Sequence, residues 1–561
     1  MLKDPAARTT CPEDIRRLLL DLVAIPSVSP HADHERAVVR YLRDRLAFLP
    51  WFREHPEDLM LLPVEGDQLG RELLFALVRA PVATADTVIM TGHIDVVDVR
   101  VCGPLAPLAF DAVAYTDAIG TMQMPASARR DLESGQWLFG RGVADMKCGV
   151  AVATTVLEDL ARDPSQLQSN VAVLFVPDEE NSSLGMLGAV RLLARLQDEG
   201  LRYLAIINNE PSIGIGDSME DLASVYTGSA GKINPFFYCV GREAHLGEYY
   251  EGFNATSLTT WLNLLLEGDP ALADSSDGEA LTPYACMKHR DCRQEYSCSI
   301  PERSVSYYSY FTSTKLPGEL LDDLRRLALL AQRRAIARAR RNAQRFAAQG
   351  KPQPAALDLK PRVLTFQELF AKAREASGFH FDTALAAALA VAASSLPEHA
   401  DERDRSLAIV DALLSLAGEK GPLIVVGFLM PWYPHRGNSG ATAGERAMLA
   451  LAADLAVHAR SLGSSLRIRP YYEGISDLSY CGVPCDDLNL AAYTDNVPGY
   501  GTLYELPLQA LRTLDIPVLN LGPVGKDAHK HTERIHEHYA FEVYPELLRK
   551  AVLGVLAAYP E

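Results

Sequence analysis

The chain has 561 residues, 48% of them hydrophobic, enough apolar material for two or more cores. Its formal net charge of -18 gives a negative mean surface, which argues against nucleic acid or an anionic membrane as the main partner. The N-terminus lacks the apolar segment and small-residue cleavage site of a signal peptide, and nine cysteines without such a signal point to reduced thiols, so a soluble cytoplasmic protein is expected.

In chain order, residues 12 to 24 place leucines and Val23 at helical spacing. Apolar runs follow at Leu73 to Val78, Thr87 to Met90, Val171 to Val176 and Tyr203 to Ile207, with helices predicted at Cys148 to Leu160 and Leu184 to Leu196. Short apolar strands separated by helices predict an α/β fold with a mostly parallel sheet covered on both faces. After Pro211 the pattern changes: strands are predicted at Lys232 to Val240 and Ser304 to Phe311 around a helix at Ala255 to Leu266. A long helix is expected from Leu320 to Gln349, carrying eight arginines between Arg325 and Arg345, and two more at Ala384 to Leu396 and Ser406 to Leu416. In an acidic chain this arginine run reads as a solvated face. A strand at Pro422 to Met430 follows, and from Gly440 the first pattern resumes. The expected organisation is therefore a catalytic domain in two parts, 1–213 and 437–561, interrupted by an inserted α+β domain at 214–436 with extra helices.

Chemistry gathers where strands end. The run Thr87 to Met90 leads into His93 and Asp95, NVAVLFVP into Asp178, Glu179 and Glu180, YLAIINN into Glu210, and IPVLNLGPVG into Asp527 and His529, while Asp145 opens a helix in FGRGVADMKCGV. Ligands of open parallel sheets bind beyond the carboxyl ends of the strands, so these residues are expected to converge on one crevice. A single acidic residue there reads as a cap or turn former, but this many carboxylates in one crevice repel one another unless cations neutralise them. Two histidines with several carboxylates suit zinc, with manganese or cobalt also possible, and the inventory matches a pair of bridged metals. The cysteines do not extend it: Cys286, Cys292 and Cys298 are six apart and Cys481 and Cys485 four apart, unlike a zinc ribbon.

The motifs LLLDLVAIPSVS, GHIDVV, GRGVADMKCG, DEENSSLG, NEPS, GREAHLGEYYEGFNA and HKHTE, in this order, resemble those of the zinc-dependent exopeptidase and deacylase family. It contains aminoacylases, glutamate carboxypeptidases, succinyl-diaminopimelate desuccinylase and dipeptidases. The resemblance covers residues 12 to 265 and 437 to 540. It implies His93 and Glu210 as ligands of one metal, Glu180 and His529 as ligands of the other, and Asp145 as the bridge. It further implies Asp95 accepting from His93 to fix its tautomer, Glu179 as general base, and a homodimer in which His245 of the inserted domain helps hold the oxyanion in the neighbouring active site. Asn254, in the same motif as His245, is implied as a substrate contact. His531 rivals His529, but Glu533 follows His529 at the HxxxE spacing.

Two departures matter. Thr314 stands where many relatives carry a carboxylate-gripping arginine, and residues 100 to 136 lengthen the gap between His93 and Asp145. The longer form, with TPYACMKHRDC, FLMPWYPH and GKDAHKHTERI, resembles the arginine-utilisation subgroup. The reading is a two-metal hydrolase of an amide or peptide bond in a small N-acyl amino acid or short peptide. A dipeptidase or carboxypeptidase is the alternative within that class, and a non-catalytic metal-binding regulatory protein the alternative outside it. A serine hydrolase is disfavoured because no GxSxG elbow occurs.

Overall fold

The computed structural model describes residues 11–559 except 213–215, 217, 277, 294, 351–358, 395, 397–399 and 473. The expected boundary at 213/214 and the first ten residues thus lie outside the described residues. The chain divides into two compact units: Met1–Ala230 with Arg436–Val483 and Pro507–Glu561, and Gly231–His435 with Pro484–Leu506. Residues 484–506, expected in the second catalytic part, thus fall in the unit that contains the insertion.

The first unit is built on an eight-stranded sheet. Across it run Leu59–Pro63, Glu72–Val78, Asn170–Val176, Asp86–His93, Arg202–Asn208, Val518–Leu521, Ser224–Tyr226 and Arg467–Arg469. The four from Asn170–Val176 to Val518–Leu521 are mutually parallel, whereas Glu72–Val78 and Ser224–Tyr226 join them antiparallel. Every residue of Asn170–Val176 is buried, as expected of a strand covered on both faces. Helices Pro12–Val23, Lys147–Arg162 and Tyr544–Ala558 join one apolar core with these strands. Gly149 allows the close approach this needs, because a Cβ there would lie 2.1 Å from the carbonyl of Asn209.

The second unit is α+β. Its sheet runs Ala285–Asp291, Arg303–Thr312, Gly231–Val240, Leu423–Tyr433 and Val363–Thr365, antiparallel except for the last pair. One face, with Phe236, Tyr238 and Val240, packs against helices Phe366–Ser377 and Glu402–Leu416. The arginine-rich helix spans Pro317–Ala347, and its apolar side contributes buried Leu320, Leu324, Ala328 and Ala331. Among the described residues, the stretch Phe366–Ser394 passes as a membrane span by length and composition, but glycine at 378 divides it into two helices.

Candidate metal centre

His93 ends the strand Asp86–His93, and its two parallel neighbours lead at the same edge into Glu179 and Glu180 on one side and Glu210 on the other. Strand pairing alone therefore delivers four groups to one place. Asp145 arrives from the turn before Lys147–Arg162, and His529 from the turn between the short strands Gly525–Lys526 and Arg534–His536.

The side chains form two triads that share Asp145: His93, Asp145 and Glu210, and Asp145, Glu180 and His529, with the ligand atoms of each within 4.8 Å of one another. His93 Nε2 lies 3.1 Å from Asp145 Oδ1 and 3.3 Å from Glu210 Oε1. His529 Nε2 lies 3.3 Å from Asp145 Oδ2 and 3.0 Å from Glu180 Oε2. Glu179 Oε2 is 4.0 Å from His93 Nε2 and belongs to neither triad. The rival histidine is elsewhere: His531 Nε2 lies 3.0 Å from the carbonyl of Gln123.

The electrostatics are those of crowded carboxylates. Burial, with the charge of Asp145 behind it, pushes Glu210 up to about 8. Burial also raises Glu179 well above the carboxylate range, against the pull of His93 and with help from Asp477, Glu180 and Glu210. Asp145 is held low despite its burial because both imidazoles bond to it. Bonds to Asp145 and Glu180 raise His529 to about 11, and His93 is raised despite burial by Glu210, Asp145 and Asp95. Carboxylates crowded in this way are the setting in which a cation supplies compensating positive charge.

Around the triads lies a supporting layer. Asp95 faces His93 with its main-chain carbonyl, 2.9 Å from His93 Nδ1, and its carboxylate lies 3.6 Å away. The carboxylate accepts the amides of Glu179 and Glu180, each at 3.1 Å. Glu533 accepts the amides of Ala144 and Asp145 at 3.2 and 3.3 Å and pairs with buried Arg141. Asp178, in the left-handed region at φ 73, pairs with buried Arg71 and accepts the amide of Leu184 at 3.1 Å. Sequence reasoning missed Arg71 and Asp477, since neither follows a strand of the parallel set; Asp477 is buried and its carboxyl is pushed up to about 7 by that burial.

The other two expected site residues lie in the second unit. His245 is exposed, and its Nδ1 accepts the amide of Gly247 at 3.1 Å. Asn254 Oδ1 accepts the amide and hydroxyl of Thr256 at 2.9 and 2.8 Å, an Asx turn leading into Thr256–Leu266.

Over residues 89–410, more than half of the chain, the sequence matches the model of peptidase family M20/M25/M40. The chain belongs to peptidase family M20. An M20 protein with this layout is a hydrolase of the metallopeptidase type, on an α/β fold. It is 33% identical over 551 residues to the protein YqjN of Bacillus subtilis (strain 168), covering 97% of this chain and 96% of that one. Protein RocB of the same organism is 26% identical over 549 residues, covering 98% and 96%. Among solved structures, a tripeptidase from Staphylococcus aureus subsp. aureus Mu50 matches with a TM-score of 0.52 at 13% identity, covering 97% of this M20 chain and 99% of that one. This last likeness concerns the fold.

Proposed function

We propose that this M20 hydrolase works with two divalent metal ions, zinc before manganese or cobalt, and cleaves an amide or peptide bond of a small N-acyl amino acid or short peptide in the cytoplasm. The observation that carries the reading is the pair of His/carboxylate triads joined at Asp145, with Glu179 beside them but outside both. The residues fit such ions: imidazole nitrogens and carboxylates suit zinc, and Glu210, whose Oε1 lies 3.3 Å from His93 Nε2, keeps its Oε2 buried without a hydrogen-bond partner.

His93 and Glu210 would hold one ion, Glu180 and His529 the other, and Asp145 both. Bound there, the ions supply the positive charge that polarises the scissile carbonyl and makes water acidic enough to attack at neutral pH. The chain does the rest. Glu179 takes the proton of the attacking water on its carboxylate and returns it to the leaving nitrogen. Asp95 orients Glu179 through its backbone amide. In the proposed homodimer His245 would donate to the developing oxyanion and Asn254 would contact substrate, with its amide nitrogen, since its oxygen is engaged by Thr256.

The test is Glu179→Gln, with turnover and metal content measured together. Turnover is expected to fall by about 10²–10⁴-fold with metal content intact; unchanged turnover would sink the mechanism. A screen of acyl-arginine, acyl-glutamate and dipeptide substrates separates deacylase from dipeptidase, and acyl-arginine comes first because of the resemblance to arginine-utilisation proteins. Metal binding with no turnover on any of them would favour a regulatory role.

A further inference from the structure

Residues 100 to 136, which lengthen the chain between His93 and Asp145, form a 3-10 segment, Arg100–Leu108, and helices Ala112–Ile119 and Ala126–Ser134. Three of their groups bond to the segment carrying His529. The hydroxyl of Tyr115 donates to the carbonyl of His531 at 2.8 Å. The carbonyl of Gln123 lies 3.0 Å from His531 Nε2. The carboxylate of Asp131 accepts from Arg534 Nε at 2.9 Å and Nη2 at 2.8 Å, and from Lys526 Nζ at 3.1 Å. Arg534, only 1% exposed, donates on to Asp527 at 2.6 Å, which also accepts the hydroxyl of Thr532 at 2.8 Å.

This segment needs support. Asp527 and His529 both have left-handed backbones, φ 56 and 66. Residues other than glycine hold that conformation only where their surroundings over-determine it. His529 is itself half-exposed, so core packing does not fix it. His93 and Glu210 differ, since they sit at one edge of the eight-stranded sheet, whereas His529 lies in the turn joining the short paired strands Gly525–Lys526 and Arg534–His536.

We propose that the 100–136 insertion is a buttress that sets His529, with Tyr115 and Asp131 as positioning residues for the metal held by Asp145, Glu180 and His529. The proposal rests on the two-metal reading above and adds an asymmetry to it: the insertion governs one metal site and leaves the other to the sheet. Asp131 fixes the buried Arg534, Arg534 fixes Asp527 two residues before His529, and Tyr115 fixes the carbonyl two residues after it.

The experiment uses the full-length chain, stripped of metal and titrated with zinc by calorimetry and with cobalt by visible absorption, for wild type, Asp131→Asn and Tyr115→Phe. Wild type is expected to bind two ions. Each variant is expected to bind one ion as wild type does and the other about 10–100-fold more weakly, as when outer partners of metal ligands are removed. The cobalt band of one site alone should be lost at low metal, kcat should recover at high metal, and Asp131→Glu should restore part of the affinity. Should Asp131→Asn fail to fold, Tyr115→Phe, which deletes one hydroxyl, decides. Folded variants that bind both ions with wild-type affinity, or lose both equally, would overturn the buttress while leaving the two-metal reading in place; wild type binding fewer than two ions would overturn both.

Discussion

The buried carboxylate of Asp95 takes the amides of Glu179 and Glu180 at once, so one side chain orients both the proposed base and a proposed ligand. Asparagine offers one acceptor and turns an NH₂ toward the second amide. Asp95→Asn is therefore expected to weaken metal binding about 10–100-fold and lower kcat together; wild-type values for both would refute this. Glu35 gives a pH signature. It is fully buried on Ala32–Ala47, and burial, then the charge of Asp95, lifts its carboxyl from 4.5 to about 8 against the pull of Arg71. Between those values the folded chain keeps a proton that the unfolded chain releases, so stability falls as pH rises through that window, by a few kcal/mol in all. Melting of metal-loaded wild type should thus slope downward from pH 4.5 to 8 relative to Glu35→Gln, and parallel curves would refute the assignment.

At the scale of elements, Lys147–Arg162 places the chain after Asp145 directly on the strand end before Glu210, because Gly149 meets the carbonyl of Asn209. Gly149→Ala must push the two apart, and a loss of about 1–3 kcal/mol or more in urea denaturation is expected, with weakened metal binding. An unchanged midpoint would show that the helix can shift freely. Elements with a strong period were legible: the helix expected at Leu320 to Gln349 spans Pro317–Ala347, and the parallel strands lie where their apolar runs are. Other elements were not. The helix Phe366–Ser377 was missed although Thr365 and Glu368 form a capping box, a signal present in the sequence as TFQE. The short strands Ser224–Tyr226 and Arg467–Arg469 carry too few residues to show alternation and exist because neighbouring strands pair with them.

For the whole molecule, two units with separate apolar cores imply two melting events. All five proposed metal ligands belong to the first unit. A chelator is thus expected to lower one calorimetric transition by several degrees and leave the other in place, since an ion at about 1,000 times its Kd contributes about 4 kcal/mol to the state that binds it. Equal shifts of both transitions would show that the units melt as one.

The sequence by itself determined which donors meet, because residues that follow parallel strands converge at one edge whatever the intervening chain does; His93, Glu179, Glu180 and Glu210 needed little more. Only the tertiary structure decided the rest. It set His529 in the cluster and His531 against Gln123, and it turned the Asp95 carboxylate to two amides. It also returned residues 484–506 to the second unit and laid the insertion against the His529 loop. Those outcomes hang on loop dihedrals and on bonds between residues hundreds of positions apart, which no local period or motif spacing encodes.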